Sequence, residues 1–281
     1  MKTQKKTSFT LEQARRLSIK TRWAGKAWEA TASIYSGQAV EFFGRDTPVG
    51  AITAAKTQAW IDQLLKGGNA AATVNRKLST LRAMLGDAAL HGHLAAIPVL
   101  PKQLRANNGR ERILEDWERD RLLHACIVMG QPMVADLLTF LLETACRVGE
   151  ALKLTAGDVD LRGRRVTFWD TKNGKPRTIP LTGRAVDALA GNVPAVRSHR
   201  VFPLTYDQLR LHWDRAKVDA GLDDDQLVMH SLRHSCATKL AKAGISQHQL
   251  MSYGGWKSSA VMRYLHHNVD SLSVCVDALE G

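Results

Sequence analysis

The sequence predicts a mainly α chain with a small β-sheet or hairpin, an α+β fold arranged as two domains. Three observations predict it. Apolar residues recur at helical spacing over residues 23–94. A segment rich in breakers and positive charge, 101–112, then interrupts the periodicity. Beyond it, Asn173-Gly174 sits between two short alternating stretches, which is a hairpin-turn signal. At 281 residues and 44% hydrophobic, the chain is long enough to bury one large core or two modest ones.

Taken in order, residues 1–22 read as a basic arm or tail with a short helical stretch at 11–17. Residues 23–100 form a helical domain. Trp28, Ala32 and Tyr35 recur at helical spacing, and Trp60, Ile61, Leu64 and Leu65 line a helix over 54–65 that Gly67-Gly68 stops. Val74, Leu78, Leu81, Leu85 and Leu90 line another over 73–90. After the linker at 101–112, residues 113–281 form the larger domain. Its expected helices are 115–128, 133–154, 206–220, 231–243, 246–252, 258–265 and a short amphipathic one at 270–279. Its expected strands are 158–161, 165–169 and 178–181.

The net charge is +12. Residues 1–110 hold 17 Lys/Arg against 6 Asp/Glu, a balance of +11, whereas residues 111–281 hold 22 against 21, a balance of +1. A region that basic accumulates on a polyanion by releasing counterions, so nucleic acid is the favoured partner over a merely solvated surface. No apolar run approaches 18 residues, which predicts no membrane span. The basic N-terminus is followed by no apolar core, which predicts no secretory signal. Cys126, Cys146, Cys236 and Cys275 lie far apart with no C-x-x-C pair. That spacing fits free thiols of a reducing cytosol better than a zinc site or disulfide framework.

The residues able to do chemistry are scattered cations and one tyrosine. Arg147 follows an apolar run (Leu137, Leu138, Phe140, Leu141, Leu142), where a charge needs a partner, and Glu150 lies three residues on to supply it. His230 and Arg233 are three apart and His234 is four from His230, so one helical face can present them. Lys172 sits at the hairpin tip, placed to protonate a leaving oxygen, with Lys175 and Arg177 as neighbours able to substitute for it. Trp256 brings an indole N–H. Tyr264 brings a phenol, a weak nucleophile with a pKa of about 10 until cations stabilise its phenolate. Arginine forks, a lysine and a histidine are the groups that grip a phosphodiester and move protons beside it. Each residue alone also has an ordinary reading: an Arg–Glu pair, a helix N-terminus, a turn lysine, a core tyrosine.

The ordered set resembles the tyrosine recombinase family of phage-integrase type, from about Arg112 to His266. The boxes that carry the resemblance are T-A-C-R-V-G-E-A-L-K-L around Arg147, H-S-L-R-H-S at 230–235 and G-G-W-K-S…R-Y-L-H at the end. The hairpin T-K-N-G-K-P-R-T-I-P-L joins them. The resemblance implies a helical core-binding domain followed by a catalytic domain, closing on duplex DNA as a C-shaped clamp. It implies a site-specific recombinase of a phage or other mobile element, acting through a 3′-phosphotyrosine. Tyr264 would be the nucleophile, Arg147 and Arg233 the phosphate clamp, and His230 and Lys172 the proton carriers. Trp256 would be a phosphate donor, with Glu150 and His234 behind them. It implies no cofactor and no metal, a dimer per DNA site and a tetramer on two sites. It further implies accessory DNA-bending or directionality proteins and a cytoplasmic, nucleoid-associated location. Two departures stand out: tryptophan replaces the more common histidine at 256, and Tyr264 follows it by eight residues where nine are usual. The missing residue is expected to fall in the loop 257–259, since its loss inside a helix would turn the tyrosine by about 100°. The same residues also fit a type IB topoisomerase-like relaxing enzyme, or a DNA-binding regulator with a decayed catalytic domain.

Overall fold

The structure is a computed structural model and describes residues 8–106, 112–169 and 176–256. The chain divides into two compact units, Met1–Gly109 and Arg110–Gly281. Among the described residues it is helical apart from one three-stranded sheet, the α+β class expected. No helix among them is long and apolar enough to cross a membrane.

The first unit comprises α1 (Leu11–Ser18), a π-helical turn (Ile19–Trp23), α2 (Glu29–Phe43), α3 (Ala54–Lys66) and α4 (Ala71–Leu90). Thr10 and Thr53 cap α1 and α3 with their side-chain oxygens. The core is the stripe predicted on α4 (Val74, Leu78, Leu81, Leu85), packed with Trp60, Ile61 and Ala32, whereas Leu90, expected on the same stripe, is exposed at the end of the helix. The stretch read as an arm or tail contributes to it: Leu11 and Ala14 are fully buried. The end of α1 and the π-helical turn that follows are held to α4 by Asp87, which accepts from Ser18 Oγ at 2.7 Å and Arg22 Nε at 2.9 Å.

The second unit begins with α5 (Asp116–Val128), α6 (Pro132–Thr144) and α7 (Val148–Lys153). The antiparallel sheet β1 (Val159–Asp160), β2 (Arg165–Phe168) and β3 (Arg177–Pro180) follows in sequence order. Then come α8 (Gly183–Ala190), which the pattern did not predict, α9 (Tyr206–Asp219), α10 (Met229–Lys242) and α11 (Gln247–Gly254). The core runs through α5, α6, α9 and α10 and is closed by the inner sheet face, Val166, Phe168 and Ile179. Cys126, Cys146 and Cys236 are free and buried, while Cys275 lies outside the described residues. So do the hairpin tip with Lys172, the helices expected at 258–265 and 270–279, and Tyr264.

One expected element is corrected. The helix predicted over 133–154 is two helices, broken at Ala145–Arg147. Ala145 adopts the left-handed conformation (φ 50°, ψ 19°) and caps α6, and Arg147 begins α7 in extended conformation. Neither Gly nor Pro marks the break.

Candidate active site

The break in the α6–α7 stretch makes the site. It places Arg147 at the start of α7, where Glu150, one turn in, reaches back to it. Glu150 Oε2 accepts from the Arg147 backbone N–H at 2.8 Å, and Oε1 accepts from Arg147 Nη1 at 2.7 Å. Arg147 Nη2 donates to the carbonyl of Gly255 at 3.1 Å, across 108 residues of sequence. The Arg147 side chain remains 27% exposed, whereas that of Glu150 is 5% exposed. Both terminal nitrogens of the guanidinium are therefore anchored while the side chain still faces solvent.

Arg233 arrives from α10 and is 3% exposed. Its Nη1 donates to the carbonyl of Ala145, the residue whose left-handed turn breaks the helix. Its guanidinium lies over the Trp256 ring, 4.0 Å from the centroid, a cation–π contact that is strengthened by burial. Its Nη2 is buried and has no hydrogen-bond partner. Burial, then repulsion from Arg147, pushes its pKa down to about 10, with Glu150 opposing. It stays cationic at neutral pH, and an anion brought to it offsets both effects by favouring the charged form.

His230 and His234 also lie on α10, with rings edge to face at 4.7 Å. His230 is exposed and His234 buried. Trp256 is buried, so in the described residues its ring serves as the platform for Arg233. Two glycines bring it there. Gly255 caps α11 at φ 68°. A Cβ built on Gly254 would lie 1.8 Å from Trp256 Cζ3. Gly254→Ala is therefore expected to displace the indole and to cost about 1–3 kcal/mol, the usual penalty of overpacking. Equilibrium denaturation measures it, and an unchanged midpoint would refute this packing.

Arg177 is the residue sequence reasoning misplaced. Read there as a hairpin cation able to replace Lys172, it instead points inward from β3 with a side chain only 9% exposed. It donates to Glu150 from Nη2 at 2.8 Å and Nη1 at 3.2 Å, and to the Tyr253 carbonyl from Nε at 3.2 Å. It also stacks on Phe168 at 4.4 Å. The signal was available: strand alternation puts Arg177 on the same face as buried Ile179, and an inward arginine needs a carboxylate. Tyr253, the other tyrosine of this region, is also structural. Its hydroxyl donates to the Glu143 carbonyl at 2.8 Å, and burial raises its pKa.

Arg147, Arg177 and Arg233 thus surround one carboxylate, Glu150, which leaves two positive charges in excess. Burial alone would raise the Glu150 pKa, but the hydrogen bonds from Arg177 and the Arg147 backbone hold it below the ordinary carboxylate value. A concentrated cationic cluster with a buried donor to spare is suited to hold an anion and to stabilise charge developing on it. Among the described residues, no group of three or more His, Cys, Asp or Glu side chains is placed to hold a metal ion.

Comparison with known proteins decides the class. The sequence profile of the Phage integrase family matches residues 112–270, more than half of the chain and all of the described cluster. The chain belongs to the phage integrase family. It is a tyrosine recombinase, an enzyme that cleaves and rejoins DNA through a tyrosine. It is 29% identical over 257 residues to the tyrosine recombinase XerC of Mycobacterium leprae, covering 83% of this chain and 86% of that one. It is also 29% identical over 210 residues to the shufflon-specific DNA recombinase of Escherichia coli, 73% of this chain but only about half, 54%, of that protein. Two solved structures share the fold. The Tn1549 transposon integrase in complex with transposon right end DNA superposes with a TM-score of 0.81 at 16% identity, over 97% of this chain and 100% of that one. A lambda integrase tetramer bound to a Holliday junction gives 0.75 at 19%, over 93% and 78%. In this recombinase the two box arginines, Arg147 and Arg233, converge on the 145–147 turn, and Trp256 joins them. Lys172 and Tyr264 lie outside the described residues.

Proposed function

We propose that this cluster is the catalytic centre of a site-specific recombinase of a phage or other mobile element, and that it holds the scissile phosphate of double-stranded DNA. The observation that carries the reading is Arg233: a buried guanidinium with a donor beyond those its own protein accepts, in a cluster of three arginines and one carboxylate that holds two excess positive charges. A phosphodiester supplies the anion such a donor needs.

Arg147 and Arg233 grip the two non-bridging oxygens, and Trp256 supports the second guanidinium. Tyr264 loses its proton, with His230 as acceptor, and its oxygen attacks phosphorus. The bond to the 5′ oxygen breaks, leaving a 3′-phosphotyrosine, and Lys172 gives its proton to the departing 5′ oxygen, which leaves as a hydroxyl. Rejoining runs these steps backwards with a 5′-hydroxyl from another strand. The ester keeps the bond energy, so the cycle balances without a nucleotide. Glu150 and His234 hold Arg147 and His230 in place. The basic first domain, a balance of +11 over residues 1–110, adds sequence-independent affinity for the duplex. The lambda integrase tetramer on a Holliday junction supports a dimer per site and a tetramer on two sites. The setting is the cytoplasm, on the nucleoid, with accessory DNA-bending or directionality proteins.

The test begins with genomic DNA: trap covalent complexes with denaturant, sequence the DNA ends and identify the linked peptide. Recurrent ends at one sequence, joined to the peptide that contains Tyr264, are expected. Ends scattered without preference would instead indicate a relaxing enzyme, and no covalent complex would overturn the reading. The recovered sequence, synthesised as a nicked suicide duplex, then serves for variants. On it Arg233→Ala is expected to cleave about 10²–10³-fold more slowly, the range seen when one preorganised donor is lost. Its affinity for the duplex should change far less.

A further inference from the structure

We propose that Arg177 is a positioning residue for cleavage: by sharing Glu150 with Arg147 and holding the Tyr253–Gly255 backbone, it keeps the phosphate grip both charged and aligned. The proposal rests on the reading of the catalytic centre just given.

The first argument is charge. Arg147 and Glu150 alone form a neutral pair, in which the carboxylate satisfies the guanidinium that must bind phosphate. Arg177 places two more N–H groups on the same carboxylate, one on each oxygen. Glu150 is then divided between two arginines, and the centre as a whole keeps two excess positive charges. Attack of a phenolate on a phosphodiester joins two single negative charges in one transition state, so an excess of two is what that state needs and the resting diester does not. Without Arg177 the excess falls to one.

The second argument is placement. Arg177 Nε holds the Tyr253 carbonyl, and its Nη1 lies so close to Gly255 that a Cβ there would come within 2.8 Å of it. Gly255 in turn accepts from Arg147 through its carbonyl and is followed by Trp256, the platform of Arg233. One buried guanidinium, 4.4 Å from the Phe168 ring centroid, therefore touches the support of both clamp arginines. It touches none of the reacting groups in the described structure, and its effect passes through Glu150 and the 253–255 backbone.

The test uses the suicide duplex, with single-turnover cleavage and duplex affinity measured separately. Arg177→Lys keeps the charge and loses the fork. It is expected to fold, to bind within about twofold and to cleave about 10-fold more slowly. Arg177→Met loses both, and its cleavage is expected to fall by about 100-fold, the scale of a misplaced reacting geometry. The decisive variant is Arg177→Met combined with Glu150→Gln, which restores the excess of two on Arg147 and Arg233. It is expected to cleave about 10-fold faster than Arg177→Met alone, because coupled charges do not add. A merely structural Arg177 predicts that the second substitution makes cleavage worse. That result, or parental cleavage by Arg177→Met, would overturn the proposal. Arg233→Ala run in parallel separates the two readings. If it cleaves normally, the catalytic centre itself is wrong. If it fails while Arg177→Met cleaves as the parent does, only the role of Arg177 is wrong.

Discussion

Tyr264→Phe is expected to bind the recombination site as the parent does and to form no covalent adduct at all. The substitution removes one oxygen and no charge, so the electrostatic part of DNA binding stays. Tyr253 is near in sequence, but its hydroxyl is committed to the Glu143 carbonyl at 2.8 Å, and burial makes its phenolate harder to form. Ionising it would leave that carbonyl facing a negative charge. Any water that reached the phosphate would hydrolyse it without linking protein to DNA. The assay is denaturing electrophoresis of the suicide duplex, with duplex affinity measured alongside. An adduct that persists in Tyr264→Phe and vanishes in Tyr253→Phe would move the nucleophile to 253. It would also mean that the eight-residue interval from Trp256 to Tyr264 had carried the latter out of reach.

Apart from α8, the helices described in both units were legible because their apolar stripes follow the 3.6-residue period, as on α4. The hairpin was legible because strand alternation flanks Asn173-Gly174. The break between α6 and α7 was not. Residues 133–154 contain no proline and only Gly149, which lies inside α7. The left-handed turn falls on Ala145, a residue that takes that conformation at a cost of about 1–2 kcal/mol. What offsets that cost is Arg233, which donates to the Ala145 carbonyl from 88 positions away. A local pattern cannot carry that information. The same holds for the candidate site. Its box arginines were legible by order and spacing, whereas the hairpin pattern made Arg177 only a neighbour able to substitute for Lys172: strand alternation gives its face but cannot name its partner, Glu150, 27 residues earlier on another element. These two failures fall where buried arginines tie distant segments together, which is where local preference and function are expected to disagree.

Glu150→Gln carries the largest expected effect on stability. At neutral pH Glu150 is a buried anion that accepts from Arg177 at 2.8 Å and 3.2 Å and from Arg147 at 2.7 Å and 2.8 Å. Glutamine keeps the shape and loses the charge, so two guanidiniums remain without a counter-ion beside a third. Removing one partner of a buried ion pair costs about 3–5 kcal/mol, and that is the loss expected here. The pH dependence gives the claim its sign. Burial pushes the Glu150 carboxyl up, but Arg177 and then the Arg147 backbone N–H outweigh it, so its folded-state pKa lies below the ordinary 4.5. A depressed carboxylate contributes stability that is present above the unfolded-state value and is lost as pH falls through the folded-state one. Parent and variant should therefore differ most near neutrality and converge in acid, once the parent's Glu150 has taken up its proton. Urea denaturation of both chains across that range measures the gap. A gap that stays constant into acid would show that the loss came from packing, and the carboxylate at the centre of three arginines would then not be what holds this turn together.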